Sequence, residues 1–278
     1  MLAGRSNVGK STLLNALVGT KVAIVTPKPQ TTRMPLRGIL HDPRGQIVFV
    51  DTPGVFLGKK DLLTKRLNES VRETLEGVEA IVYVMDPTRS PGPEESKVQD
   101  MLRASNVPVI AVINKSDLPE KDRPWLMNYR LVDVGQVKTL EVSAKDHSDL
   151  NKLVDALFER MPEGDAHYPD LQLSDLSHNQ WLEELVREKI FLNLNEEIPY
   201  SIKVTLDDLQ VRADGSRLVA AVIWTTDERY KKIIIGKGGQ MVKKIGMDAR
   251  KEMEAVTEMK VYLELTVKVD PKWQERFI

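Results

Sequence analysis

Gly4-Arg5-Ser6-Asn7-Val8-Gly9-Lys10-Ser11 has the spacing G-x-x-x-x-G-K-S and runs straight into the helix-forming Thr12-Leu13-Leu14-Asn15-Ala16-Leu17. Phosphate chemistry needs this arrangement. Glycines let successive backbone N–H groups curl round the phosphates of a nucleotide, and the helix N-terminus adds its dipole. Lys10 can meet the β and γ oxygens, and Ser11 can ligate magnesium. Gly4, Asn7, Val8, Gly9, Lys10, Ser11 and Thr12 are therefore the candidate phosphate-binding residues.

Val50-Asp51-Thr52-Pro53-Gly54 puts a carboxylate at the C-terminal end of an apolar run, where ligands of open α/β sheets bind. Asp51 can hold Mg²⁺ through water, and the Gly54 N–H can reach a γ-phosphate. Further on, Asn114-Lys115-Ser116-Asp117 ends a second apolar run. At this spacing Asp117 can accept from both N1–H and N2–H of guanine. Adenine lacks that donor pair and would strand the carboxylate, which is a strong basis for rejection. Asn114 would tie loops together, Lys115 would lie along the base, and Ser143-Ala144-Lys145 would supply the Ala144 N–H to guanine O6. The ligand expected from these residues is GTP or GDP.

The order of these four motifs, each at a strand end, resembles the translation-factor-like small GTPases. In them a threonine of the segment between the phosphate loop and the aspartate closes over Mg²⁺ and the γ-phosphate. Here that segment holds Pro29-Gln30-Thr31-Thr32-Arg33, and Thr32 is preferred over Thr31. Val55 stands where many signalling GTPases carry the glutamine that orients the attacking water, so water must be positioned otherwise. In bacterial ribosome and tRNA GTPases with an Asn-Val-Gly-Lys-Ser loop that asparagine can hold K⁺, which makes Asn7 a candidate ligand. Lys10, Thr32, Gly54 and Asn7 are the candidate catalytic residues, and Ser11, Thr32 and Asp51 the metal site.

The elements that position these residues follow from the apolar pattern. Strands are expected at Leu36 to Leu40, Gln46 to Val50, Ala80 to Met85, Val107 to Ile113 and Thr139 to Val142. The first two are separated by His41-Asp42-Pro43-Arg44-Gly45, a hairpin turn, so that pair is antiparallel and the rest parallel. Amphipathic helices are expected at Lys10 to Leu17, Lys65 to Leu75, Glu94 to Ser105 and Ser148 to Arg160. The result is an α/β domain over 1–162, a mostly parallel sheet with helices on both faces. Only Met1-Leu2-Ala3 precede Gly4, so the first strand is expected to be truncated, with the true start upstream.

Periodicity stops over 163–176, a Pro-, Gly- and Asp-punctuated linker. A second domain, 177–278, opens with a helix whose apolar stripe runs from Trp181 to Leu194 behind a Ser177 cap. Strands follow at Ser201 to Val211 and Arg217 to Thr226, joined through Asp214-Gly215, then a helix from Gln240 to Val256 and a strand from Val261 to Val269. Ile235-Gly236-Lys237-Gly238-Gly239 contains Gly-x-x-Gly with a lysine inside, the loop with which KH domains clamp single-stranded nucleic acid. Between Arg229 and Lys251 lie eight basic residues and one acidic residue, Asp248, a local charge of +7. That cluster is an electrostatic footprint for phosphates. Ile235, Gly236, Lys237, Gly238, Gly239, Lys243, Lys244 and Arg250 are the candidate RNA-binding residues.

Composition narrows the classes. The length of 278 residues fits two domains at roughly 100–200 residues each. A net charge of -1 excludes a polycationic coat protein, so any basic surface is local. Zero cysteines exclude disulfides and thiol chemistry, and four scattered histidines lack metal spacing. No apolar run approaches the roughly 18–20 residues that span a bilayer, so a soluble cytoplasmic protein is expected.

Taken with Leu185-Val186-Arg187-Glu188-Lys189-Ile190, Ile198-Pro199-Tyr200-Ser201 and Ile245-Gly246-Met247-Asp248-Ala249-Arg250-Lys251, the motifs resemble the bacterial Era GTPase family over nearly the whole chain. The resemblance implies a P-loop GTPase domain joined to an α+β type II KH domain. It also implies binding of the 3′ end of small-subunit ribosomal RNA in 30S assembly, a monomer, no DNA, and peripheral association at the inner membrane face. The competing readings are a constitutive RNA chaperone with a structural nucleotide site and a membrane-linked cell-cycle GTPase.

Overall fold

A computed structural model of the chain describes residues 1–54, 69, 73–75 and 77–273. The helix expected over Lys65 to Leu75 falls largely outside these residues, and Val55 wholly so. The chain forms two compact units, residues 1–25 with 32–175, and residues 26–31 with 176–278.

The first unit is built on a six-stranded sheet. Its strands are β1 (Leu2–Ala3), β2 (Leu36–Asp42), β3 (Gly45–Asp51), β4 (Ile81–Met85), β5 (Val109–Ile113) and β6 (Lys138–Glu141), in the order β2-β3-β1-β4-β5-β6. β2 and β3 pair antiparallel, and the other pairs are parallel. Every residue of β4 and of β5 is buried, the continuous apolar run that a strand covered on both faces requires. β3, nearer the edge, alternates instead. The short β1 lies between β3 and β4, so Gly4 leaves the sheet beside Asp51, whose Cα pairs in register with Leu2.

Helices α1 (Lys10–Val18), α2 (Pro93–Arg103), α3 (Leu126–Arg130) and α4 (Leu150–Phe158) complete the unit. α2 begins with proline at its first position, where the missing N–H has no partner to lose, and Glu94 and Glu95 sit in its first turn. α3 has five residues and escapes a periodicity reading. Of the 163–176 stretch expected as a linker, all but its last residue belongs to this unit and is hydrogen-bonded to the sheet. Ile39 N donates to Leu173 O at 3.0 Å and Arg37 N to Asp175 Oδ1 at 2.9 Å, while Gln46 Nε2 donates to Tyr168 O at 3.0 Å.

In the second unit, α5 (His178–Asn193) starts with a capping box in which Ser177 and Gln180 satisfy each other's backbone N–H groups. After it come β7 (Ile202–Val211), β8 (Arg217–Thr225), α6 (Glu228–Ile235), α7 (Gln240–Thr257) and β9 (Val261–Val269). β8 is central, antiparallel to β7 and parallel to β9. This α-β-β-α-α-β order is the type II KH arrangement. Ile233 to Ile235 are β-branched yet close α6 as helix, because packing of the apolar face outweighs a few tenths of a kcal/mol of propensity. Residues 26–31 join this unit through Lys28, whose ammonium donates to Leu194 O and to Asn195 Oδ1.

Candidate functional site

The phosphate loop connects β1 to α1. α1 begins at Lys10, so its unpaired N–H groups and dipole point into the loop. Lys10 is buried, and its ammonium donates to Gly4 O at 3.1 Å and Arg5 O at 2.9 Å. Burial depresses its pKa, with Asp51 and two glutamates opposing that shift. Val8 is fully buried, whereas Asn7 is exposed with φ +60°. Thr12 follows in the first turn of α1. A Cβ on Gly54 would fall 2.7 Å from the Ser6 backbone, so residue 54 approaches the loop as only glycine can.

Three oxygens converge beside Lys10. Ser11 Oγ donates to Asp51 Oδ2 at 2.6 Å and lies 3.1 Å from Thr32 Oγ1, which is itself 3.3 Å from Asp51 Oδ2. Asp51 Oδ1 is buried without a protein partner, and burial raises the carboxyl pKa despite Lys10 and both hydroxyls. A hydroxyl, a second hydroxyl and a carboxylate are hard oxygen donors that fit Mg²⁺. Among the described residues no group of three or more His, Asp or Glu side chains is placed to hold a metal ion. Thr31 is not part of this group: its hydroxyl pairs with Thr26 Oγ1 at 2.6 Å and donates to Lys28 O at 2.7 Å.

The base-recognition residues meet at the ends of β5 and β6. Asn114 Nδ2 donates to Val8 O at 2.9 Å, and its Oδ1 accepts from the Lys115 and Ala144 amides at 2.8 and 3.0 Å. Ser143 Oγ donates to Asp117 Oδ1 at 2.7 Å and fixes that carboxylate. Lys145 is exposed beside them. The sequence reading missed Asp86, which ends β4 fully buried. Its Oδ2 pairs with Lys115 Nζ at 2.6 Å, and its Oδ1 accepts from the Thr88 amide and hydroxyl. The available signal was a carboxylate directly after an unbroken apolar strand, the same position that Asp51 holds on β3.

In the second unit the glycine loop joins α6 to α7. Gly236, Gly238 and Gly239 have φ of +74°, +58° and +76°. A Cβ on Gly236 would meet Met241 Cβ at 2.7 Å, while Gly238 and Gly239 face open space. The loop therefore presents bare backbone. Lys237 within the loop and Lys243 and Lys244 at the start of α7 are exposed, as is Arg250 further along that helix, and Ile235 closes α6 half-buried.

A family model described as 50S ribosome-binding GTPase matches residues 1–115, and one described as KH domain matches residues 197–274. GTPase Era of Heliobacterium modesticaldum is 40% identical over 277 residues, covering 99% of this chain and 92% of that protein. The chain belongs to the Era GTPase family. GTPase Era of Trichlorobacter lovleyi is 39% identical over 279 residues, with 99% and 93% coverage. The crystal structure of an Aquifex aeolicus Era variant bound to GDP and aluminium fluoride matches with a TM-score of 0.91, 37% identity, and coverage of 99% and 94%. A structure of Era in complex with MgGDPNP and nucleotides 1506–1542 of 16S ribosomal RNA matches equally, at TM-score 0.91 and 37% identity. Like these Era proteins, the chain is a GTP-binding, GTP-hydrolysing enzyme with a C-terminal KH domain. No helix among the described residues is long and apolar enough to cross a membrane.

Proposed function

We propose that this GTPase binds the 3′ end of small-subunit ribosomal RNA through its glycine loop and acts as a nucleotide-controlled factor in 30S assembly. The observation that carries the reading is the bare, positive-φ backbone of Gly238 and Gly239, with exposed Lys237 inside the loop and exposed Lys243 and Lys244 at the start of α7. Backbone that approaches phosphate closely, surrounded by cations, suits single-stranded RNA. The Era structure holding a 16S fragment supports the choice of RNA.

In the first unit, Lys10 and the loop amides neutralise the β and γ oxygens, and the Gly54 N–H meets the γ-phosphate. Ser11, Thr32 and Asp51 would hold Mg²⁺, which would supply neutralisation of phosphate charge. Asp117 would read guanine N1–H and N2–H, Lys115 would lie along the base and Asn7 would hold K⁺, whereas the Ala144 N–H expected to serve O6 is given to Asn114 Oδ1 at 3.0 Å. Thr32 reports the γ-phosphate, so the switch lies in whether Thr32 is held. The protein works as a cytoplasmic monomer; peripheral membrane association rests on the family resemblance alone.

The test is the affinity for a short RNA copied from the 3′ end of small-subunit rRNA, beside a scrambled control, with a non-hydrolysable GTP analogue and then with GDP. Tighter, sequence-selective binding in the GTP state is expected. Equal binding in both states would favour a constitutive chaperone, and no binding in either would remove the RNA assignment.

A further inference from the structure

Against the phosphate loop lies a buried ionic cluster. Arg5, the second residue of the loop, is buried, and so are Glu95 of α2, Tyr83 of β4 and Tyr129 of α3. Arg5 Nε lies 3.1 Å from Glu95 Oε2 as an ion pair whose N–H is not aligned for a hydrogen bond. Its other nitrogens donate to Ser90 O at 2.8 Å, Arg89 O at 3.2 Å and Tyr129 Oη at 3.1 Å. Glu95 accepts from Tyr129 Oη at 3.1 Å and from the Tyr83 hydroxyl. Arg89 adds a bond to the loop from the same side, Nη1 to Ser6 O at 3.0 Å.

A buried ion pair is a poor means of gaining stability, since apolar residues of the same volume serve as well or better. This one is attached to a functional backbone. The carbonyl of Arg5 is an acceptor for the Lys10 ammonium, and the adjoining Ser6 backbone is the surface that Gly54 approaches. Fixing the Arg5 guanidinium fixes the strand of loop against which both groups are set.

We propose that Glu95 is a positioning residue for nucleotide binding: through Arg5 it sets the phosphate-loop backbone and Lys10. Because the loop grips the phosphates shared by GTP and GDP, loss of Glu95 weakens the two nucleotides together and leaves the chemical step largely intact. Glu95→Gln keeps the volume and one of the two bonds accepted from the tyrosines, and strips the charge from beside Arg5.

The experiment titrates the full chain with fluorescent GDP and a non-hydrolysable GTP analogue, with kcat measured at saturating GTP. Glu95→Gln is expected to raise both Kd values about tenfold while kcat stays within about threefold, the pattern of lost uniform binding. Combining it with Arg5→Gln is expected to add nothing to Arg5→Gln alone. Tyr83→Phe, which removes a partner of Glu95 but none of Arg5, is expected to lower Tm and leave nucleotide affinity unchanged. A lowered Tm with unchanged Kd in Glu95→Gln would make the cluster purely structural, and a lowered kcat with unchanged Kd would equally overturn the proposal. Should Glu95→Gln fail to fold, Tyr129→Phe keeps the charge pair and loses a bond to each partner; unchanged Kd there overturns it, and a rise of about threefold supports it.

Discussion

The side-chain amide of Asn114 lies 2.9 Å from the carbonyl oxygen of Val8, joining the end of β5 to the middle of the phosphate loop. Its carbonyl end takes the Ala144 amide, so one side chain braces three loops. Asn114→Ala leaves a buried carbonyl and a buried amide unpaired, at about 1–3 kcal/mol each. Urea denaturation of the nucleotide-free protein should show that loss, and GDP titration should show weakened binding.

Asp86 holds Lys115 in place over the expected base position. Asp86→Asn removes the charge pair but keeps the shape, and hydrogen bonds to charged groups contribute about 1.5–3 kcal/mol. GDP affinity should fall about tenfold, with RNA affinity unchanged in the same preparation.

Asp51 carries a buried carboxylate oxygen without a protein partner. Burial disfavours the charge and raises its pKa, so Asp51→Asn should raise the stability of the nucleotide-free protein at neutral pH. The same variant should lose the Mg²⁺ dependence of nucleotide binding. Opposite signs in the two assays are the expected result.

The glycine loop separates packing from recognition. Gly236→Ala drives a Cβ into Met241 at a positive φ and should lower Tm. Gly238→Asp meets open space and a φ that aspartate tolerates, so it should fold normally and lose RNA affinity through charge repulsion.

His178 begins α5 with its Nε2 2.7 Å from Arg217 Nη1. Burial, then the Arg217 charge, lowers its pKa below the usual 6.5. The unfolded chain binds a proton that the folded chain refuses, so the contribution is present above pH 6.5 and lost as pH falls from there through the lower folded value. His178→Asn should flatten the stability profile between pH 7 and 5.

Much of this was legible because the chemistry sits at strand ends. Buried parallel strands write continuous apolar runs, so Ile81 to Met85 and Val109 to Ile113 announce themselves, and the Asn114 motif follows such a run, while the Asp51 motif ends the alternating β3. What escaped has no period. α3 is too short to repeat, the 163–175 stretch pairs through backbone groups whatever its side chains, and Asp86 and Glu95 act through contacts with residues far away in sequence. Ile233 to Ile235 are β-branched and still close a helix, because its apolar face decides.

The backbone pairing of residues 173–175 with β2 also bears on solubility. β2 is the outer strand of its sheet, and an open edge offers a row of unpaired N–H and C=O groups to any passing strand. Leu173 and Asp175 occupy part of that row, and Ser174 bridges Gly38. A chain cut after Met161 would bare the edge and self-associate, whereas one cut after Asp175 keeps its own cover and stays dispersed.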